Sequence, residues 1–175
     1  MSFCQIFFSD FVYSKQLLFA EPWRLWTGHW VHLGVWHWIL NIAALALLPE
    51  IFLRSTWKFF LILWFLLPLI VSISLWFFMP QLSLYAGLSG VLHGLYLAMA
   101  LMAVCSFSIV ERRVGWIVLV GICAKVGWEA YRGMSQTAEL IGAPVILQAH
   151  QFGLAAGFFV WLVTKFVAYI NRRVA

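Results

Sequence analysis

Residues 82–110 contain no Asp, Glu, Lys or Arg, and this uncharged run constrains the fold more than any other feature of the chain. A transmembrane helix needs about 20 mostly apolar residues, and three further stretches come close to the same standard. Residues 30–48 are uncharged and stop at Pro49-Glu50. Residues 57–79 carry only Lys58, at one edge, and enclose Pro68, which neighbouring helices can accommodate. Residues 144–170 carry only Lys165, near enough to the end to snorkel. A fifth stretch, 114–131, is less apolar because it includes Lys125 and Glu129. Only 10% of the 175 residues are charged and 65% are hydrophobic, against about a quarter and a half in a soluble domain. The expectation is one all-α polytopic membrane domain with five transmembrane helices, for which the lipid bilayer is the solvent.

The formal charge of +5 does not point to nucleic acid. Its carriers fall in small clusters between the apolar runs: Arg54 with Lys58, Arg112 with Arg113, Arg172 with Arg173. Multi-span proteins mark their cytoplasmic loops in this way, whereas a nucleic-acid face gathers its cations on one element. Loops 80–85 and 132–143, and the segment before Trp30, are then expected outside. Residues 1–20 include Asp10 and Lys15 and are too polar to span. The expected division is an N-terminal remnant and outer loop (1–29), a membrane core (30–170) and a cytoplasmic tail (171–175). The first helix is expected to be truncated or missing, with residues 3–8 as its trace and the recorded start late. Cys4, Cys105 and Cys123 show no metal-ligand spacing, and the latter two read as small packing residues.

Polar groups at membrane depth are costly and point to function. His37 and Asn41 are four apart and share a helix face. Ser89 lies in Gly87-Leu88-Ser89-Gly90 near the outer end of its run, and His150 near the outer end of the last. With spans beginning at Trp30 and Pro144, His37 and His150 would lie roughly 10 and 9 Å in. Groups from three helices then meet at one depth. A serine hydroxyl becomes a useful nucleophile when an imidazole takes its proton, so Ser89 and His150 form a candidate dyad. The amides at the start of the Ser89 helix, with His37 and Asn41, could stabilise an oxyanion. Gly87 and Gly90 allow close backbone approach, and Gly153 with Gly157 forms a helix-contact pair. His93, one turn below Ser89, is a rival base. Lys125 and Glu129, at i and i+4, read as a buried pair that locks structure or contacts substrate. His29, His32 and His37 raise the thought of zinc, but no acidic or cysteine ligand lies nearby; no metal or cofactor is expected.

Trp23-Arg24, His37-x-x-x-Asn41, Gly87-Leu88-Ser89-Gly90 and Ala149-His150-x-x-Gly153-x-x-x-Gly157 together resemble the rhomboid intramembrane serine proteases. Residues 87–94, residues 23–29 and Lys125-Val126-Gly127-Trp128-Glu129 are similar to the rhombosortase branch. The resemblance implies a rhomboid-like helix bundle with Ser89 as nucleophile, His150 as base, and His37 and Asn41 around the oxyanion. It also implies a bacterial inner membrane, with the site facing the periplasmic side. The expected partners are membrane-anchored exported proteins, cut near a C-terminal Gly-Gly stretch that precedes a hydrophobic helix. A non-proteolytic rhomboid-like client binder and a small transporter are the competing classes. The transporter has no inverted repeat to support it.

Overall fold

The computed structural model describes residues 3–52, 57–135 and 137–174. Arg54, one of the expected cytoplasmic markers, lies outside the described residues. The elements in order are α1 (Phe3–Ile6), α2 (Phe8–Phe11), β1 (Tyr13–Ser14), α3 (Arg24–Thr27), α4 (Val35–Ile51) and α5 (Trp57–Phe78). There follow β2 (Leu84–Tyr85), α6 (Ser89–Val104), α7 (Ile109–Arg132), α8 (Ala138–Ile141) and α9 (Leu147–Val174). The architecture is helical, with a single two-residue ribbon in which Tyr13 pairs with Tyr85 and Ser14 with Leu84.

By length and composition, α5 and α9 can each cross a bilayer, while α4 and α6 are apolar but shorter. Of the five expected spans, two among the described residues therefore meet both criteria, and α7, at 24 residues, is long enough but less apolar. The difference arises at the helix starts and, for α6, also at its end, which falls at Val104 rather than Val110. The chain enters α4 at Val35 rather than Trp30, α6 at Ser89 rather than Leu82, and α9 at Leu147 rather than Pro144. Hydropathy cannot separate a lipid-facing helix from irregular backbone buried in protein, which is tolerated at membrane depth. Val31, in the segment before α4, is fully buried.

Helix α6 is the axis of the bundle, packing against α9, α7, α5 and α4. Its seam with α9 is built from small residues. A Cβ on Gly94 would stand 2.6 Å from the Gly153 carbonyl oxygen, and one on Gly90 would stand 2.8 Å from that of Ala149. Conversely, a Cβ on Gly153 or Gly157 would drive into the carbonyls of Gly90 and Gly94. With no hydrophobic gain available between helices in lipid, such backbone proximity carries the association. Tyr96 ties the more loosely held α4 to this axis by donating to the Ala44 carbonyl at 2.7 Å. Helix α7 has a clear start and stop. The Ser108 hydroxyl accepts from the Glu111 amide, and Gly133 follows in the left-handed region at φ 69°.

The N-terminal segment is held firmly to one end of the bundle. Arg24 is buried, pairs with Glu21, and donates to the Ser9 and Val12 carbonyls, both at 2.8 Å. Thr27 donates to Phe11 O at 2.8 Å. Gln5 makes reciprocal bonds with the backbone of His32. Lys15 donates to the carbonyls of Trp76 and Pro80, satisfying orphan acceptors around the end of α5. Residues 3–8, expected as the trace of a spanning helix, form single turns instead. The N-terminal segment, loop 80–88 and residues 141–146 thus gather at one end, as the charge pattern requires of segments sharing a side. The turn 105–108 and Lys165 lie at the other. Cys105 and Cys123 are free and exposed rather than packed inside.

Candidate active site

Ser89 opens α6, and the approach to it is clamped. Gly87 sits at φ 128°, where a side chain would be strained, and its would-be Cβ falls 2.5 Å from His37 Cε1. The Gly87 amide donates to Gly28 O at 3.1 Å, and the buried Tyr85 hydroxyl donates to Gly87 O at 2.8 Å. The 23–29 motif therefore buttresses the serine loop. Arg24 and Thr27 grip the N-terminal segment, and the Gly28 carbonyl fixes Gly87. His29 Nε2 donates to Pro68 O at 3.0 Å and Ser72 Oγ at 2.9 Å. Behind this loop, the first amides of α6 have no acceptor in their own helix.

His150 lies in the first turn of α9. Its Nε2 is 3.0 Å from Ser89 Oγ, and its Nδ1 is 2.8 Å from Glu129 Oε2. Since a carboxylate can only accept, Nδ1 carries the proton and Nε2 is free to receive the serine hydroxyl hydrogen. Both His150 and Glu129 are buried. Glu129 Oε1 accepts from Lys125 Nζ at 2.7 Å and Ser135 Oγ at 2.9 Å.

His37 and Asn41 are both buried on one face of α4, as their spacing predicts. The Leu33 amide donates to His37 Nδ1 at 3.4 Å, a long contact that leaves Nε2 as the protonated nitrogen. Among the described residues, Asn41 Nδ2 is buried without a hydrogen-bond partner. Both side chains line a cavity of about 220 Å³ together with Ser89, His93, Lys125 and His150. A second cavity of about 220 Å³ meets it at Ser89 and His37 and runs beneath Phe8 and Val12.

Several expectations need correcting. His37 and His150 stand in the first turns of their helices, because those helices start later than the apolar runs suggest. His93 does not rival His150 for the serine hydroxyl. Its Nδ1 donates to the Ser89 backbone carbonyl at 2.7 Å, its Nε2 accepts from Lys125 at 3.1 Å, and its ring stacks on His150 at 4.0 Å. Lys125 and Glu129 are paired but not equally buried: side-chain exposure is 43% for the lysine and 4% for the glutamate. Glu129 also reaches beyond its own helix to His150, and Tyr85 and Ser135 support the site unannounced by any motif. Tyr85 precedes the Gly87–Gly90 motif by two residues, but nothing in the sequence indicates that its hydroxyl points back. His29 is engaged with α5 rather than with His37. The possible ligand atoms of His93, Glu129 and His150 do lie within 4.8 Å of one another. The Lys125 ammonium bonds to two of the three residues, supplying the positive charge a cation would bring.

Fold and site define a helical membrane protein with a serine, an imidazole and a carboxylate in hydrogen-bonded sequence at one end of its bundle. The family model described as the Rhomboid domain matches residues 20–166, a span that includes all these groups. The chain belongs to the rhomboid family, whose members are generally intramembrane serine proteases acting on membrane proteins. No curated protein and no solved structure gave a match.

Proposed function

We propose that this chain is an intramembrane serine endopeptidase in which Ser89 is the nucleophile and His150 the general base. The observation that carries the reading is the 3.0 Å contact between Ser89 Oγ and His150 Nε2, made across two helices inside a cavity. Ser89 Oγ attacks the scissile carbonyl as its proton passes to His150 Nε2, and the imidazolium then protonates the departing amine. Water hydrolyses the acyl-enzyme by the same route in reverse. The Ser89 amide, His37 Nε2–H and the unpartnered Asn41 Nδ2 supply donors for the oxyanion. An unsatisfied buried amide is costly in the resting protein, and stabilising a transient oxyanion gives it a purpose. A fluorophosphonate probe should label the wild-type protein but not Ser89→Ala. Ser89→Ala and His150→Ala should each abolish cleavage, with the double variant no worse, since nucleophile and base act as a unit. A non-proteolytic client binder would leave the probe unreacted.

The narrower reading rests on the rhombosortase-like motifs at 23–29, 87–94 and 125–129. Substrates are exported proteins anchored in a bacterial inner membrane by a C-terminal helix preceded by Gly-Gly, and the site faces the periplasmic side. A helical segment hides its carbonyls in its own hydrogen bonds, and glycine releases them cheaply. Replacing the substrate glycines with leucine should block processing. Unchanged processing, or cleavage of only N-terminally anchored substrates, would leave the general rhomboid protease.

A further inference from the structure

We infer that Glu129 completes a Ser89–His150–Glu129 relay and is a positioning residue for the reaction, an inference that rests on the protease reading above. Ser89 and His150 alone would make a dyad, in which nothing fixes the imidazole's tautomer. Here the carboxylate is directed at one nitrogen. Oε1 is engaged by Lys125 Nζ at 2.7 Å and by Ser135 Oγ at 2.9 Å, which leaves Oε2 for His150 Nδ1 at 2.8 Å. The proton is thereby kept on Nδ1, and Nε2 presents its lone pair to Ser89 Oγ at 3.0 Å.

Two groups around this line, His93 and Lys125, hold it in place. His93 stacks on the His150 ring with an interplanar angle of 15°, restricting its rotation. The same His93 is fixed at both nitrogens, by the Ser89 carbonyl and by Lys125. Lys125 thus serves two partners, and its ammonium offsets the buried Glu129 charge. When Ser89 Oγ bonds to the scissile carbon, the carbonyl π pair moves to oxygen and the hydroxyl proton moves to Nε2. The resulting imidazolium keeps its Nδ1 proton, and the carboxylate stays ionised beside it. As the C–N bond breaks, the Nε2 proton passes to the leaving nitrogen and the relay returns to its starting charge.

The test compares Ser89→Ala, Glu129→Gln and Glu129→Asp in purified full-length protein acting on a membrane-anchored reporter. Glutamine keeps the shape of Glu129, and the half-exposed Lys125 can turn to the cavity. Its amide can donate to Nδ1, however, which would put the imidazole proton on Nε2, facing the serine. The expected result for Glu129→Gln is a kcat lower by about 10²- to 10⁴-fold, with KM and thermal midpoint close to wild type. Glu129→Asp should recover part of the loss. In Ser89→Ala, which retains both other members, a strongly deshielded proton resonance from the His150–Glu129 bond should be visible, and Glu129→Gln should remove it. Residual cleavage in Ser89→Ala sinks the protease reading itself. If Ser89→Ala is inactive but Glu129→Gln keeps kcat within about tenfold of wild type, only the role given to Glu129 fails. Absence of the deshielded proton from Ser89→Ala also overturns that role, and does so whether or not the glutamine variant folds.

Discussion

Replacing Gly94 with alanine would put a methyl carbon 2.6 Å from the Gly153 carbonyl oxygen, with Leu67 Cδ1 at 3.0 Å on its other side. Real side-chain carbons essentially never approach closer than 3.0 Å, and ordinary contact begins at 3.4 Å. The obstacle is helix backbone, so it cannot rotate away. Relief requires α6 and α9 to part by about 0.4 Å at the least and about 0.8 Å for ordinary contact. Ser89 stands five residues before Gly94 on α6, and His150 three residues before Gly153 on α9, so both reacting atoms ride on the separating helices. Their 3.0 Å contact would stretch to between about 3.4 and 3.8 Å, at or past the limit of a hydrogen bond. Overpacking of this kind costs about 1–3 kcal/mol, and a misplacement near 1 Å can cost about 10²-fold in rate. Gly94→Ala should therefore lower kcat by about one to two orders of magnitude, and Gly153→Ala by more, since its Cβ meets the Gly90 carbonyl more closely still. The control is Gly121→Ala on α7, where nothing lies within 4 Å. There the better helix former should add up to about 1 kcal/mol of stability and leave the rate alone. Reporter cleavage and thermal melting in detergent decide the matter. Full activity and an unshifted melt in both seam variants would refute the coupling of helix spacing to the serine–histidine contact.

Asn41→Ala and His37→Ala should slow turnover without stopping it, each by about 3 kcal/mol of transition-state stabilisation, while the Ser89 amide remains. Because Asn41 Nδ2 has no partner to lose, its replacement should leave the melting midpoint nearly unchanged; a rise in KM at constant kcat would instead move it to substrate binding. Arg24→Ala should destabilise the fold by about 3 kcal/mol, by unpairing Glu21 and the Ser9 and Val12 carbonyls, and Arg24→Lys should not restore it. Equal melting of wild type and Arg24→Ala would remove the N-terminal segment from the stabilising contacts. Cysteines introduced at 84 and 112 in a cysteine-free background should label from opposite sides of the membrane, with 84 outside. External labelling at 112 would invert the topology and put the cavity on the wrong face.

What the sequence discloses of this site, and what it hides, divides along the range of each signal. Helical period is local, so the shared face of His37 and Asn41 can be read directly, and both prove to be buried beside Ser89. Hydropathy is also local, but it reports burial without its kind. Residues 30–34 are as apolar as a span, yet they are irregular backbone, with Val31 and His32 buried in protein, that delays α4 and brings His37 into its first turn. Pairing between helices is not local. The 61-residue separation of Ser89 and His150 can be bridged from sequence only because their motifs carry a family resemblance, and the 125–129 motif, though it contains Glu129, assigns it no partner outside its own helix. Its i, i+4 lysine offers a self-contained account of its charge, and a reading from periodicity stops there. A carboxylate, however, has two oxygens and room for about four hydrogen bonds, and at membrane depth each unfilled acceptor is costly. One ammonium could never have satisfied Glu129. The open acceptors call for further donors, and the structure supplies two, the Ser135 hydroxyl at 2.9 Å and His150 Nδ1 from another helix at 2.8 Å.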